Sequence, residues 1–189
     1  MYRYLILGLC ILTVGCNSNE TQSQEPIASL EMPIPILVPE RMMENGPVVN
    51  PDPYDLKMQI NTLENNMFDF EVSILLYNGA HYISPNAVRD FTGKFTIHIE
   101  DNPQLEIVSE LEETPRSVEE IDLHPFTNGT VNWVREDTRY NQTLKPTVET
   151  DFDVMGFIQF TIEPRCTLEK IPIIIKYRDG DLRVEVFGC

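Results

Sequence analysis

Alternating apolar and polar residues give the clearest structural signal in this chain of 189 residues. Between residues 67 and 77 every second side chain is apolar, while Asp69, Glu71 and Ser73 occupy the positions between them. This is the period of a β-strand with one buried face. Residues 95–99 repeat it, and similar patterns predict further strands at 105–108, 118–123, 130–134, 143–150, 152–162, 171–177 and 182–187.

Turn residues separate the predicted strands. Asn78-Gly79 and Asn128-Gly129 favour tight turns, because asparagine and glycine tolerate positive φ. Asp179-Gly180 predicts a hairpin between the last two strands. The structure of residues 56–67 is ambiguous. The spacing of their apolar residues favours a helix, whereas their asparagines favour turns. Seven to nine short strands with no long helix predict an all-β fold for residues 54–189: an antiparallel β-sandwich, immunoglobulin-like in the broad sense.

Residues 16–53 have a different composition, with seven prolines between positions 26 and 53. Proline at this density blocks helices and sheet ladders and favours an extended polyproline II chain, so the sequence predicts a tether here. One segment, residues 33–38 (PIPILV), is too apolar for a plain spacer. We expect it to dock on its own domain; docking on a partner is the alternative.

The N-terminus has the features of an export signal. Arg3 precedes an apolar run from Leu5 to Val14, and polar residues follow from Asn17. The run is shorter than the roughly 20 residues needed to span a bilayer. It is apolar on all sides, which is not typical of a helix packed on a soluble core.

The residues Thr13-Val14-Gly15 before Cys16 resemble the lipobox of bacterial lipoproteins. The resemblance covers residues 1–16 only. It implies that residues 1–15 are a signal peptide, and that a lipidated Cys16 anchors the mature chain in a membrane. Because no aspartate follows Cys16, it also implies the bacterial outer membrane in a diderm host, facing the periplasm or the outside. An ordinary secretory signal cleaved near the same place is the alternative.

The chain has four cysteines. Cys10 lies in the signal and Cys16 is the expected lipid site, which leaves Cys166 and Cys189. A remaining pair in an exported protein predicts a disulfide, which would close a loop of about 24 residues and stabilise the fold by roughly 3 kcal/mol. A redox pair or a metal site is disfavoured, because no C-x-x-C motif and no neighbouring histidine is present.

Charge limits the choice of partners. Fourteen Lys and Arg against thirty Asp and Glu give a net charge of 14 − 30 = −16. Such an excess disfavours nucleic acid and anionic bilayer surfaces as partners, and it favours basic ones.

No residue pattern indicates catalysis. His81, His98 and His124 are scattered, and the chain has no G-x-S-x-G, H-E-x-x-H or P-loop motif. We therefore expect a protein that is not an enzyme and uses no cofactor.

Two pairs of aspartates are weak candidates for calcium ligands. Asp151 and Asp153 flank Phe152, and Asp179 and Asp181 flank Gly180. Calcium needs six to eight converging oxygens, and the spacing of a calcium-binding loop is absent. No metal site is predicted.

The sequence as a whole predicts a lipid-anchored envelope protein that presents an acidic β-sandwich as a binding or assembly module for a protein or glycan partner. One alternative, based on charge, is an inhibitor of a cationic secreted hydrolase such as a lysozyme. The other is a glycan-binding domain, if Trp133, Tyr140, Tyr82 and Phe126 share a surface. Trp133 alternates with Val131, so we expect it in the core instead.

Overall fold

A computed structural model describes residues 48–49, 52–125 and 127–187. This part of the chain contains thirteen β-strands and no helix. The strands are β1 (Val48–Val49), β2 (Tyr54–Thr62), β3 (Phe68–Leu76), β4 (Tyr82–Ile83), β5 (Thr96–Ile99), β6 (Leu105–Ile107), β7 (Glu112–Thr114), β8 (Glu119–Asp122), β9 (Gly129–Val134), β10 (Thr138–Pro146), β11 (Phe152–Ile162), β12 (Thr167–Arg178) and β13 (Asp181–Val186).

The strands form three antiparallel sheets. The large sheet has the order β1-β2-β3-β10-β6, and β7 also pairs with β10. A four-stranded sheet has the order β13-β12-β11-β5, and a small sheet has the order β4-β9-β8. The longest pairing joins β11 to β12, from Phe152 opposite Tyr177 to Ile162 opposite Thr167.

One hydrophobic core lies between the large and the four-stranded sheets. Alternate residues of β2, β3, β11 and β12 are buried in it, as the strand period requires. Aromatic rings bridge the sheets: Tyr54 meets Phe160 edge-on with ring centroids 5.1 Å apart, and Phe95 stacks on Tyr140 at 3.9 Å. The predicted fold class, an antiparallel β-sandwich, is confirmed.

The ambiguous segment that begins at Leu56 is part of strand β2. Leu56 and Ile60 are four residues apart, which fits the period of a helix and also that of a strand. Met58, buried between them on the same face, shows that the strand period applies. Leu63 lies just beyond the strand and is 43% exposed.

Three short strands occur where the sequence predicted none. Tyr82–Ile83 pairs with β9 as β4. Val48–Val49, inside the expected tether of residues 16–53, pairs with β2 as β1. Glu112–Thr114, inside an acidic stretch, pairs with β10 as β7. The predicted signal peptide at 1–15, the anchor Cys16 and the apolar segment 33–38 lie outside the described residues. Among the residues that are described, no helix is long and apolar enough to cross a membrane.

Candidate functional site: the edge of the small sheet

Strand β8 is the outer strand of the small sheet. Its residues 119–122 pair antiparallel with β9, from Glu119 opposite Asn132 to Asp122 opposite Gly129. In the described part of the chain no strand pairs with its other side. An edge strand of this kind presents unpaired backbone N–H and C=O groups, and can pair with a strand of another chain.

Three large apolar side chains at this edge are almost fully exposed. Val118 and Leu123 are each 81% exposed, and Ile121 is 75% exposed. Residues 118–123 are called the β8 edge below. Soluble proteins usually protect edge strands with charges or cover them, so a run of exposed apolar residues on one edge is typical of an interaction surface.

The turn after β8 is held by its own polar groups. Asp122 Oδ1 accepts a hydrogen bond from the His124 amide at 2.8 Å, and the His124 carbonyl accepts from the amides of Thr127 and Asn128. Asn128 has a positive φ of 37°, as the predicted Asn-Gly turn requires. These hydrogen bonds direct the chain back into β9, and they thereby fix the register of β8 against β9.

Trp133 connects this turn to the small sheet. Its indole Nε1 donates to Asp122 Oδ2 at 3.1 Å, and its ring meets the His81 ring edge-on at 4.8 Å. The His124 amide, and then the Trp133 indole, hold the pKa of Asp122 below its ordinary value. Trp133 is only partly buried, so the prediction that it lies in the core is wrong. The residues beside it are polar, and they hold the ring at the surface.

The Trp133 ring also lies beside an ion pair. The Arg135 guanidinium lies 5.6 Å from the centre of the Trp133 ring and also pairs with Glu120, with Nη2 and Oε1 2.7 Å apart. Glu120 is therefore neutralised, whereas Glu119 has no ion-pair partner among the described residues. The acidic charge that remains at the β8 edge lies on Glu119 and on Asp122, whose carboxylate is hydrogen-bonded to neutral donors.

Prolines limit the length of the open edge. Pro115 precedes it and Pro125 follows it. Proline has no backbone N–H to offer a neighbouring strand, which is a common means of ending an edge. Only the residues between these two prolines can pair as a strand.

A buried carboxylate holds the start of the β8 edge in place. Glu113, 8% exposed, accepts hydrogen bonds from Ser84 Oγ at 2.5 Å and Tyr140 OH at 3.3 Å. Its other oxygen accepts from the Ser117 amide at 2.6 Å. Burial, above all, raises the pKa of Tyr140, so the phenol stays a donor. Glu113 thus ties the residue before the edge to the core.

The sequence did not single out Glu113. It lies in an acidic run with Glu110 and Glu112, both exposed. Only its place in β7 opposite Tyr140 turns it towards the interior.

The first pair of candidate calcium ligands is occupied by an arginine. Arg178 Nη2 pairs with Asp153, and Arg178 Nε lies 3.9 Å from Asp151. The same guanidinium donates to the Phe152 carbonyl at 2.7 Å. These two carboxylates therefore anchor an arginine at the end of β11 and β12.

The second pair lies in the last hairpin. Asp179 has a positive φ of 53° at the turn, and Asp181 accepts from Arg183 Nε at 3.2 Å. Within the residues that the structure describes, no group of three or more His, Cys, Asp or Glu is arranged to hold a metal ion.

Cys166 is exposed, and its thiol donates to Glu163 Oε2 at 2.9 Å. This hydrogen bond, above all, raises the pKa of the thiol. Cys189, the expected disulfide partner, lies outside the described residues, as does Cys16. The disulfide therefore stays a prediction.

The four aromatic residues considered as a glycan platform do not share a surface. Tyr82 and Tyr140 are completely buried, and their phenols hydrogen-bond to each other at 3.0 Å. Phe126 lies outside the described residues. A platform that includes the two tyrosines is therefore wrong, and of the described members only Trp133 reaches the surface.

No family model matches the sequence, and no match is found among curated proteins. Solved structures with similar folds include the GAE domain of GGA2p from Saccharomyces cerevisiae, with a TM-score of 0.37 and 11% identity, covering 76% of this chain and 98% of that domain. Another is the N-terminal domain of DsbD from Neisseria meningitidis, with a TM-score of 0.39 and 9% identity, covering 68% of this chain and 87% of that domain.

Proposed function

We propose that this chain is a non-enzymatic binding module of the bacterial envelope, anchored in the outer membrane through a lipid on Cys16. The proposed binding surface is the β8 edge. The lipobox-like residues before Cys16 support the anchor, and the proline-rich residues after it would hold the domain away from the membrane.

The observation that carries the binding role is the exposure of Val118, Ile121 and Leu123 on an open edge strand. An exposed apolar strand edge is an aggregation hazard for a protein without a partner. At the β8 edge, however, the backbone is positioned by Glu113 and by the turn at Asp122. An ordered apolar edge is what a binding surface requires.

An inhibitor of a cationic hydrolase is the second candidate. Glu119 lies on the same edge without an ion-pair partner among the described residues, and the chain carries a net charge of −16. Such an inhibitor would bind its enzyme with an affinity that falls steeply with salt. A flat salt response in a titration against lysozyme would remove this candidate.

The anchor is tested by incorporation of labelled palmitate into the full-length chain and into Cys16→Ser, both expressed in a diderm bacterium. We expect label, and recovery in the outer-membrane fraction, for the first protein only. Absence of label from both proteins would contradict the anchored reading. Equal amounts of label in the full-length chain and in Cys16→Ser would place the lipid at another residue.

The binding surface is tested in living cells with a photo-reactive amino acid at position 121, and in a second protein at position 88. Val88 is 87% exposed and lies outside the β8 edge, so it is a matched control for exposure. We expect discrete cross-linked products from position 121 and none from position 88. Equal products from the two positions, or none from either, would contradict the role of the edge.

A further inference from the structure

We infer that the β8 edge binds its partner by strand addition, and that the partner segment is an extended, cationic stretch of polypeptide. This inference deepens the proposed function and rests on it. It assigns a binding mode, a partner chemistry and individual residue roles to the edge.

The backbone of β8 is open on one side. β8 pairs on one side only, and the described residues supply no strand for the other side. A peptide that adds a strand there satisfies the free N–H and C=O groups and extends the small sheet from three strands to four. Pro115 and Pro125 restrict this pairing to the short stretch between them.

Charge disfavours a second copy of this chain as the natural occupant. Two copies of the same open edge pair antiparallel only with residues opposite each other whose numbers differ by an even number, so the central registers place Glu120 opposite Glu120 or opposite Asp122. Like charges directly opposite each other in a ladder are destabilising, and opposite charges are stabilising. Glu119 has no ion-pair partner among the described residues, so a segment with Lys or Arg opposite Glu119 fits the edge better than a second β8.

Ile121 and Leu123 are exposed and apolar, and they follow Glu119 at two-residue intervals, so the three side chains lie on one face of the edge. Asp122 lies on the opposite face, where the His124 amide and the Trp133 indole hold its carboxylate. The matching segment therefore carries a basic residue opposite Glu119 and apolar residues opposite Ile121 and Leu123, at two-residue intervals on the same face.

Trp133 provides the readout, because it is the only tryptophan in the chain and contacts Asp122 directly. The probe is a capped peptide of about six residues, the length of an ordinary strand, in which one lysine and two valines occupy alternate positions with threonine between them. We expect saturable changes in Trp133 fluorescence with this peptide. The same peptide with glutamate in place of lysine should bind at least about tenfold more weakly.

Strand addition is distinguished from simple charge attraction by backbone methylation. Two further peptides carry N-methyl groups either on the lysine and both valines or on every threonine, with all charges retained. Alternate amides of a strand point to opposite sides, so we expect one methylated peptide to lose binding and the other to keep it. Equal behaviour of the two peptides would overturn the binding mode.

Variants locate the site. We expect Glu119→Lys to weaken binding of the lysine peptide by about tenfold or more and to strengthen binding of the glutamate peptide. Glu106→Lys makes the same change of charge at an exposed position in β6 and should change neither affinity beyond a general effect of net charge. Equal effects of the two variants would overturn the assignment to the β8 edge.

Failure of this inference and failure of the proposed function give different results. If no peptide binds while palmitate labelling and cross-linking at position 121 succeed, the edge is a binding surface for a partner of another chemistry. If labelling or cross-linking fails, the proposed function itself fails.

Discussion

Glu113 is the residue on which the local structure near the β8 edge depends most. Its carboxylate accepts hydrogen bonds from Ser84, Tyr140 and the Ser117 amide. Removing a buried acceptor leaves its donors without partners, which costs more than the net value of the hydrogen bonds themselves. The cluster therefore stabilises the fold only while all of its members are present.

We predict that Glu113→Ala lowers the free energy of unfolding by about 3 kcal/mol, because buried donors are left unsatisfied. Urea denaturation followed by circular dichroism measures the change. Glu112→Ala is the matched control, since its side chain is exposed one residue earlier in the same strand, and it should stay within about 0.5 kcal/mol of the wild type. Equal losses for the two variants would contradict the role of Glu113.

The pKa of Tyr77 is set by a contact at the surface. Its phenol donates to Asp55 Oδ2 at 2.7 Å, and this hydrogen bond, above all, raises the pKa of Tyr77 from 10.0 to about 12. The folded chain therefore holds the phenolic proton more tightly than the unfolded chain does. The resulting stability is complete below pH 10 and is lost as the pH rises towards 12.

We expect Asp55→Asn to move the pKa of Tyr77 back towards 10.0, because the charged acceptor is lost. A pH titration of the Tyr77 ring followed by NMR measures this pKa. Asp90→Asn removes an exposed carboxylate elsewhere and should leave the titration where it was. An unshifted Tyr77 in Asp55→Asn would show that another group sets its pKa.

At the level of elements, strand faces were predictable and strand partners were not. The alternation in β3 correctly placed its apolar side chains from Phe68 to Ile74 in the core, because the period depends on the strand alone. It did not show that Glu71, on the other face, is also buried, where it accepts hydrogen bonds from Gln59 and Ser73. Its partners β2 and β10 are chosen by packing of the whole core, and β10 lies some sixty residues further along the chain. Strands β8 and β9 were predicted, but nothing in the periodicity indicated that they form a separate sheet with β4.

The β8 edge shows that the exposure of a strand also could not be predicted from the sequence. Residues 118–123 were predicted to form a strand, and β8 occupies the middle of that stretch. Nothing in the composition indicated that Val118, Ile121 and Leu123 would remain exposed. Apolar residues in a strand normally mark a buried face, so an exposed apolar edge can be found only once its neighbours are placed.

Exposure makes the β8 edge tolerant of substitution. Ile121→Lys should leave the free energy of unfolding within about 0.5 kcal/mol of the wild type, because its side chain is 75% exposed. Ile175→Lys, at a position that is 1% exposed in β12, should lower it by about 4 kcal/mol or prevent folding. Urea denaturation compares the two. A large loss in Ile121→Lys would mean that the edge is covered in the free protein.

At the level of the whole molecule, one core joins the two main sheets while the surface carries a large negative charge. The core is made of side chains that the strand period places inside, such as Phe70, Ile158 and Ile173, all 0% exposed. The charge of −16 comes from thirty carboxylates in the chain, and of the described ones Glu71 and Glu113 are buried. Packing therefore holds the chain together against electrostatic self-repulsion.

This balance predicts a strong dependence of stability on salt. Raising sodium chloride from about 0.01 M to about 0.15 M shortens the Debye length from roughly 30 Å to roughly 8 Å, so repulsion between distant carboxylates is screened. We expect the thermal midpoint to rise over this range. Replacing Glu100, Glu112 and Glu119, which are all exposed, together with glutamine should raise the midpoint at low salt and flatten its salt response. A midpoint that falls with salt in the wild type would show that attractive ion pairs, such as Arg178 with Asp153, outweigh the net repulsion.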